Sequence, residues 1–452
     1  MPNPASSLLG EPPEEDPRLG PPSAREPVRI SVRLSPDALR PDRTVWPVLL
    51  QAGAIPLLVA AAAYGLRGDV SGALLRWAAP VMVLLTAAYG TAAVLSGWAH
   101  RFPFLNSFEA AFVSGSLTLV PAGALLVGIS GPPTDALALL GTGASLGWLF
   151  AMQYFRSRRD ARLLVRPGGA ADRLLGLPGT TAVEEAGADQ RDESRSAALD
   201  GVVVDPQVSS RNGREDRMGG RRSKVPRYRA RRLYQLLTAR LPLSAPFTPS
   251  VDRRMGQPLQ RLKRVLDLLL IVVSLPVTVP LLGVTALAIR LGSRGPILFW
   301  QARVGQARET FQMAKFRSMH VGHKGEDDAV FADEDDDRVT PVGRFIRTTR
   351  IDELPQIWNV LKGEMSLIGP RPEQVELAEN FEEALPRYHA RHLVRPGITG
   401  WAQVLQGYAA DVDETRQKLE HDLYYVKHRS LLLDLLIVYL TCKTLLTGFG
   451  AR

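Results

Sequence analysis

Cysteine is almost absent from this chain of 452 residues, which contains only Cys442. A single cysteine excludes an intrachain disulfide and any metal site built from several thiolates. The segment Met1–Arg43 has no continuous apolar core, so no secretory signal peptide is predicted there. This segment is rich in Pro, Glu and Arg, and residues 1–44 are therefore predicted to form a disordered tail.

The chain also lacks a balance of charge, because 55 basic residues stand against 46 acidic ones and give a net charge of +9. An excess of this kind suits a nucleic acid, a membrane surface or a phosphorylated substrate. Hydrophobic residues make up 45% of the chain, but they are concentrated in a few long segments. A nucleic-acid-binding protein does not need such segments, so no nucleic-acid partner is expected.

Four apolar segments lie within residues 45–156, and each is close to the roughly 20 residues that cross a bilayer as a helix. They are Trp46–Leu66, Trp77–Trp98, Phe104–Ile129 and Ala136–Phe155. Basic residues precede the first segment and follow the fourth, whereas the loop Ser130–Asp135 has none. By the positive-inside rule, both ends of a four-helix transmembrane region are expected on the cytoplasmic side.

Residues 157–258 lack a sustained hydrophobic period and are dominated by Arg, Gly, Asp and Ser. We predict a cytoplasmic linker that is mostly disordered. Two short segments are exceptions. The segment Asp200–Asp205 (DGVVVD) predicts a strand, and the segment Arg231–Leu243 (RRLYQLLTARLPL) predicts a helix.

A fifth apolar segment covers about residues 265–290 and is interrupted by Pro276 and Pro280. The hydroxyl of Ser274 can rebond backbone groups that the prolines leave free. Basic residues flank the segment on both sides, and a spanning helix would carry one of these groups to the outside. A re-entrant helix that breaks at Ser274 and Pro276 is therefore favoured over a spanning one.

The rest of residues 259–452 predicts a small α/β domain whose motifs share a capacity to bind anions. Its motifs contain these cations: Lys315, Arg317, Arg344, Arg347, Arg350, Arg371 and Arg395. They are too many for one pair of carboxylates and suit a multiply charged phosphate ligand. Pro370 and Pro372 limit the backbone around Arg371, and Trp401 follows Arg395 as an aromatic ring that can stack or pack.

Two adjacent acids, Asp352 and Glu353, precede Pro355, which a helix tolerates only in its first turn. A helix is therefore predicted to begin near Asp352 and to end at Gly363. Capping of this helix is the simplest role for the two acids. Successive helical residues point about 100° apart, so one acid would face a substrate atom while the other orients it or helps to hold a metal.

Six motifs occur in order between about Gln260 and Arg452: KRVLDLLL, PILFWQARVG, KFRSM, RVTPVGRFIR, IDELPQIWNVLKGEMSLIGPRP and RPGITGWAQV. Together they resemble the bacterial sugar transferases, the monotopic polyprenyl-phosphate hexose-1-phosphate transferases. The four preceding apolar segments resemble the larger members that initiate exopolysaccharide or O-antigen assembly. Those members carry a Rossmann-like module before the catalytic domain, and residues 157–258 would hold only a remnant of it.

The resemblance implies an α-rich, multi-pass protein of the bacterial cytoplasmic membrane with its catalytic domain on the cytoplasmic side. It implies that Asp352 attacks the β-phosphorus of a UDP-sugar, that UMP leaves, and that the phosphosugar passes to polyprenyl phosphate. Glu353 would assist, and both acids would hold Mg²⁺. Contacts to the phosphates and the nucleotide are expected from Lys315, Arg317, Arg350, Arg371, Arg395 and Trp401.

The same resemblance matches Ser274 and Pro276 to the helix break of the family. The implied partners are a UDP-sugar, polyprenyl phosphate and the lipid bilayer, with homo-oligomers and other polysaccharide-assembly proteins also compatible with it. The sequence leaves the identity of the sugar open.

Two other hypotheses remain open. The chain could be a non-enzymatic membrane scaffold for polysaccharide export, although its intact acid pair argues against a decayed domain. It could also be a polytopic, metal-dependent transferase that uses Asp335–Asp337 without a covalent intermediate. Acidic runs such as Glu326–Arg338 are, however, more often solvated loops than metal sites.

Overall fold

The computed structural model describes two compact units, one within Glu15–Ala239 and one within Arg240–Arg452. The described residues are 28–32, 55, 59, 72–99, 102, 105, 107–129, 134–156, 161–165, 171–175, 177, 180–185, 200–204, 227–243, 257–320, 338–406 and 412–447. The acidic run Glu326–Arg338 lies outside them except for Arg338, so the structure does not describe Asp335–Asp337.

Three long helices of the first unit coincide with the second, third and fourth apolar segments. They are α1 (Gly72–Ala99), α2 (Ser107–Ile129) and α3 (Thr134–Arg156). Leu85, Tyr89, Leu119 and Leu149 are fully buried in one core that these helices share. The first apolar segment, Trp46–Leu66, lies outside the described residues except for Ile55 and Val59, which are helical and buried in the same core.

Two of the described helices are long and apolar enough to cross a membrane. These stretches are Glu109–Leu126 within α2 and Pro258–Gly292 in the second unit, whereas Val81–Ser96 and Ala138–Met152 are shorter. The structure thus contains candidate membrane helices, and the four-helix transmembrane region stays a prediction.

The first unit also contains a five-stranded sheet with one small core. Its strands are β1 (Val28–Val32), β2 (Ala161–Val165), β3 (Thr180–Glu185), β4 (Gly201–Val204) and β5 (Arg227–Arg229). Their order is β3-β1-β2-β4-β5, with β1 antiparallel to both neighbours and the β2–β4 and β4–β5 pairs parallel. Two helices complete this part of the chain, α4 (Asp172–Leu175) and α5 (Ala230–Thr238).

This sheet differs from the predicted disorder of residues 1–44 and 157–258. Strand β2 alternates buried Ala161, Leu163 and Val165 with outward residues, and β1 from the N-terminal tail pairs with it along its whole length. Burial of this apolar face against Leu233 of α5 stabilises segments that are each too short to fold alone. The strand and the helix expected at Asp200–Asp205 and Arg231–Leu243 correspond to β4 and α5.

The second unit begins with the long helix α6 (Gln257–Gly292) and the antiparallel strands β6 (Leu298–Val304) and β7 (Thr310–Phe316). Helices α7 (Pro341–Thr348) and α8 (Ile357–Lys362) follow, separated by the 3₁₀ helix Ile351–Gln356. The remaining elements are β8 (Ser366–Ile368), α9 (Val375–Ala384), the 3₁₀ helix Tyr388–Leu393, β9 (Gly397–Thr399), α10 (Trp401–Leu405), α11 (Val412–His428) and α12 (Leu431–Thr447). Strands β8 and β9 are parallel.

Helix α6 is continuous through Pro276 and Pro280, whereas the sequence predicted a break there. Ser274 donates a hydrogen bond to the carbonyl of Ile271 (2.8 Å), and Thr278 donates one to the carbonyl of Ser274 (3.0 Å). These hydroxyls bond carbonyls in the turns around the prolines, which cannot donate from their own backbone nitrogens. The helical conformation therefore persists although two backbone donors are missing.

Candidate active site

Two acids that are adjacent in sequence begin a short 3₁₀ helix because the chain turns sharply before them. Thr340 caps helix α7 by accepting a hydrogen bond from the backbone nitrogen of Gly343 (2.8 Å). After α7, Arg350 adopts a left-handed backbone conformation (φ 60°), which is uncommon for a residue other than glycine. This turn directs the chain into the 3₁₀ helix Ile351–Gln356, which carries Asp352 and Glu353 and is continued by α8.

A buried asparagine fastens α8 to strand β7 and so sets the position of the acids opposite Lys315. The Asn359 side-chain oxygen accepts a hydrogen bond from the backbone nitrogen of Ala314 (3.0 Å), and its amide nitrogen donates to the carbonyl of Gln312 (2.7 Å). The side chain thus bonds the free edge of β7 as a neighbouring strand would. The next residue of β7 is Lys315, whose ammonium group lies 3.7 Å from the carboxylate of Glu353.

Glu353 is held by two cations and is largely buried. The guanidinium group of Arg371 contacts both of its carboxylate oxygens, at 2.6 and 3.2 Å, in a bidentate pair. Burial by itself raises the pKa of Glu353, but Arg371 and Lys315 outweigh it and hold this pKa well below its usual range. Glu353 is therefore a fixed anion, and Asp352, Glu353, Lys315 and Arg371 are hereafter called the acid–cation cluster.

Asp352 has the opposite character, although it is adjacent to Glu353. One of its carboxylate oxygens (Oδ1) is buried and has no hydrogen-bond partner among the described residues. Burial and the charge of Glu353 raise the pKa of Asp352 to about 6, while Lys315, Arg371 and Arg350 act in the opposite direction. Asp352 is thus a mostly ionised carboxylate at pH 7 with one oxygen available for a ligand or a reaction.

Lys315 is the cation most sensitive to this environment. Burial, together with the nearby Arg371 and Arg303, lowers the pKa of Lys315 to about 8, against the opposite effect of Glu353. An incoming dianion would reverse the balance by pairing with the ammonium group. The two cations of the cluster balance its two acids, and the adjacent Arg303 and Arg350 add positive charge that suits an anionic ligand.

A second set of buried charges, which the sequence did not predict, holds the backbone around Arg371 in place. Arg391 donates a hydrogen bond to the backbone carbonyl of Arg371 (2.8 Å), and Arg303 donates one to the carbonyl of Pro372 (3.1 Å). Arg391 is itself paired with Asp422 (2.8 Å), and Lys418 binds Glu373 (2.5 Å). These residues come from strand β6, the segment after β8 and two later helical elements, so no local motif links them.

Four of the predicted site residues come together in the acid–cation cluster, and others lie elsewhere. Arg350 is exposed next to the cluster and lowers the pKa of both acids. Arg317 is 6% exposed, and one of its guanidinium nitrogens donates to the hydroxyl (2.6 Å) and the carbonyl (3.1 Å) of Ser293 after α6. This contact anchors the end of α6, while the Nε and Nη1 atoms of Arg317 are buried without a hydrogen-bond partner among the described residues, and its phosphate contact stays a prediction.

The nucleotide contacts of Trp401 and Arg395 stay predictions. Trp401 is 1% exposed and stacks on Tyr424 (ring centroids 6.0 Å apart), so its ring belongs to the core, and packing was one of the two roles that the sequence left open for it. Arg395 is exposed and borders a different cavity, next to the first turns of α6.

The fold and the acid–cation cluster together define a protein with an exposed apolar helix and a partly buried group of paired acids and cations. Comparison with known proteins identifies its family. Residues 259–448 match the family described as "Bacterial sugar transferase". The chain belongs to the bacterial sugar transferase family.

Three relatives illustrate the range of this similarity. The chain is 46% identical over 256 residues to the "UDP-N-acetylgalactosamine-undecaprenyl-phosphate N-acetylgalactosaminephosphotransferase" of Aeromonas hydrophila, covering 56% of this chain and 60% of the relative. It is 44% identical over 213 residues to the "UDP-glucose:undecaprenyl-phosphate glucose-1-phosphate transferase" of Caulobacter vibrioides, covering 46% and 79%. It is 38% identical over 191 residues to the "Exopolysaccharide production protein PSS" of Rhizobium leguminosarum bv. phaseoli, covering 41% and 96%.

Proposed function

We propose that this protein is a phosphoglycosyl transferase that transfers a sugar 1-phosphate from a UDP-sugar to undecaprenyl phosphate as an early step of exopolysaccharide synthesis. The observation that carries the proposal is the free, buried oxygen of Asp352 beside Lys315 and the Glu353–Arg371 pair. Relatives that act on N-acetylgalactosamine and on glucose share the matching region, so the choice of sugar is left open.

In the proposed reaction, the free oxygen of Asp352 attacks the β-phosphorus of the UDP-sugar. The bond from this phosphorus to the bridging oxygen breaks, and UMP leaves with that oxygen and its electron pair. The sugar phosphate is then held on Asp352 as an acyl phosphate. An oxygen of undecaprenyl phosphate next attacks the same phosphorus, the bond to Asp352 breaks, and the carboxylate is regenerated. A covalent intermediate of this kind divides one difficult displacement into two easier ones.

Charge repulsion is the main obstacle to this attack, because a carboxylate has to approach a diphosphate. Two like unit charges 4 Å apart repel by about 4 kcal/mol at an effective dielectric constant of 20. Lys315 and Arg371 lie where they can offset that repulsion. Glu353 cannot be the nucleophile while Arg371 binds both of its oxygens, so its role is to hold Arg371 and Lys315 in place.

Mg²⁺ fits this site through Asp352 rather than through both acids. The Oδ1 atom of Asp352 is a buried acceptor without a partner in the described part of the chain, whereas Glu353 is occupied by cations. The described residues include no group of three or more His, Cys, Asp or Glu side chains that could hold a metal. Mg²⁺ commonly uses one or two carboxylates with substrate phosphates as its other ligands, and it would neutralise charge on the diphosphate.

Helix α6 supports a location at the cytoplasmic face of the bacterial membrane. Ile271 in its first half packs with Phe311 and Met365, and Ile289 near its end packs with Phe316 and Ile346 of the same domain. Only 11% of its apolar stretch is buried, and its middle turns around Pro276 are exposed. Contacts from both halves of α6 to one domain favour a helix whose two ends stay on the same side of the membrane, where UDP-sugars and lipid phosphates meet.

The proposal predicts exchange of label between UMP and one UDP-sugar in the absence of any lipid acceptor. Full-length protein in detergent or nanodiscs would be incubated with Mg²⁺, radiolabelled UMP and each of several UDP-sugars. A covalent intermediate makes UMP release reversible before the acceptor binds, so at least one donor should become labelled. Label transfer only after addition of undecaprenyl phosphate would favour the metal-dependent mechanism without an intermediate, and no transfer with any donor would favour the scaffold.

The exchange rate should be highest between about pH 6 and pH 8. Below about pH 6, Asp352 takes up a proton and its oxygen is no longer a nucleophile. Above about pH 8, Lys315 loses the positive charge that offsets the diphosphate. Rates measured from pH 5 to pH 10 on wild type and Lys315→Arg test both limits. The arginine variant keeps its charge and should lose the decline above pH 8; an identical decline in both proteins would contradict the role given to Lys315.

A further inference from the structure

A large basic cavity lies at the start of helix α6 and is not part of the acid–cation cluster. Its volume is about 630 Å³, and its lining comes from α6, strand β8, the segment before β9 and the end of α11. The charged residues of the lining are Arg261, Lys263, Arg264, Asp267, Arg395 and Arg429. Neither Asp352 nor Glu353 lines it. Five cations thus surround a concave space with a single carboxylate.

Asp267, the one carboxylate of the lining, already has a hydrogen bond and an ion pair with neighbouring residues. Asp267 accepts a hydrogen bond from Ser366 (2.6 Å) and lies 3.9 Å from Lys263. Lys263 also pairs with Asp434 (2.9 Å), which in turn accepts a hydrogen bond from Tyr425 (2.8 Å). Lys263 is therefore paired with two carboxylates, and Asp267 also acts on the charge of Arg264 without offsetting the burial and the nearby Arg395 that lower the pKa of Arg264.

None of the four arginines forms a close ion pair with a carboxylate among the described residues. Arg264 donates to the backbone carbonyls of Val360 (2.6 Å) and Leu361 (3.1 Å). Arg261 and Arg395 are exposed at the border of the cavity. The Nε and Nη2 atoms of Arg429 are buried and have no acceptor in the described part of the chain. Buried donors without acceptors are costly, so the cavity has the composition of a site for an external anion.

The surroundings of the cavity are apolar on one side, which a soluble phosphate would not need. Val265 lines it and is 59% exposed, and Leu262 and Leu269 are exposed on the same helix. The candidate membrane stretch begins at Pro258, so the arginines stand where this helix would meet lipid headgroups. Basic residues at such a boundary attract anionic lipids and extend their charged ends towards the headgroups.

We infer that this cavity binds the phosphate monoester headgroup of a membrane lipid, whose chain lies along the apolar surface of α6. A phosphate monoester carries close to two negative charges at pH 7 and can accept several guanidinium hydrogen bonds, so it matches this set better than a singly charged diester. Polyprenyl phosphate and phosphatidic acid both carry this group. The assignment to polyprenyl phosphate rests on the proposed function, whereas the assignment to phosphatidic acid does not.

Binding would be measured with the full-length protein in phosphatidylcholine nanodiscs doped with polyprenyl phosphate, phosphatidic acid or phosphatidylglycerol, and with inorganic phosphate as a soluble competitor. Wild type should prefer the two monoester lipids, and Arg261→Gln/Arg395→Gln should weaken their binding at least 10-fold. Arg429→Gln should have a similar effect, whereas Arg294→Gln, an exposed arginine after α6 and outside the cavity, should change it less than 2-fold. Equal binding of the diester, or unchanged binding in both cavity variants, would overturn the inference.

Steady-state kinetics then identify the lipid. A KM for polyprenyl phosphate that rises at least 10-fold, with a KM for the UDP-sugar within 3-fold of wild type, assigns the cavity to the acceptor. An unchanged acceptor KM with lost binding of phosphatidic acid assigns it to a structural phospholipid, and both results support a lipid phosphate. Absence of label transfer from every donor, with and without undecaprenyl phosphate, would refute the proposed function alone, because lipid binding is measured without any donor.

Discussion

Asp352→Asn should reduce UMP exchange with the donor sugar at least roughly 10³-fold, the scale typical for loss of a catalytic nucleophile. The amide is nearly the same size as the carboxylate but cannot form the acyl phosphate. Because burial already disfavours the charged form of Asp352, its neutral replacement should not lower the midpoint of thermal unfolding. Exchange and unfolding measured on the same preparation therefore separate a chemical effect from a structural one.

Glu379→Gln provides the matched control for this substitution. Glu379 is an exposed acid on α9 of the same unit, so its variant loses one negative charge without touching the acid–cation cluster. Its exchange rate should stay within 2-fold of wild type. Retention of more than a tenth of the wild-type rate by Asp352→Asn would exclude Asp352 as the nucleophile. It would favour the alternative mechanism that uses Asp335–Asp337.

The sequence predicts those features of the site that depend on residues close together in the chain. Asp352 and Glu353 are adjacent, and the glycine stop at Gly363 follows from the residue type. The left-handed turn at Arg350 and the pairing of Glu353 with Arg371 were not predicted, because both arginines were expected to contact a phosphate. The different environments of the two acids could not be predicted, because they depend on which carboxylate Arg371 reaches in three dimensions.

Other features of the site depend on burial by distant segments, which the sequence does not show. The Trp401 ring, which could stack on a ligand or pack, is covered by Tyr424 of α11, and Arg317 bonds Ser293 at the end of α6. The sheet of the first unit was missed for the same reason. Strand β1 pairs with β2, which lies more than a hundred residues later, and neither strand is long enough to give a clear periodic pattern.

Arg371→Gln should lower kcat/KM by roughly 10²- to 10³-fold, a loss typical for removal of one donor that stabilises developing charge. It should also destabilise the fold, because it leaves Glu353 buried with Lys315 as its remaining cation among the contacts described above. Breaking a buried ion pair in this way costs about 3–5 kcal/mol. Arg308→Gln breaks the more exposed pair of Arg308 with Glu382 and should cost about 0–1 kcal/mol.

The pH dependence of stability distinguishes this explanation from a simple loss of packing. In the wild type, the lowered pKa of Glu353 contributes stability that is present above its unfolded pKa of about 4.3 and is lost as the pH falls through its folded value. Without Arg371, burial raises the pKa of Glu353 instead, so the acid takes up a proton more readily. The difference in unfolding midpoint between wild type and Arg371→Gln should therefore be larger at pH 8 than at pH 5, and a difference independent of pH would show that Arg371 acts through its packing and not through the charge of Glu353.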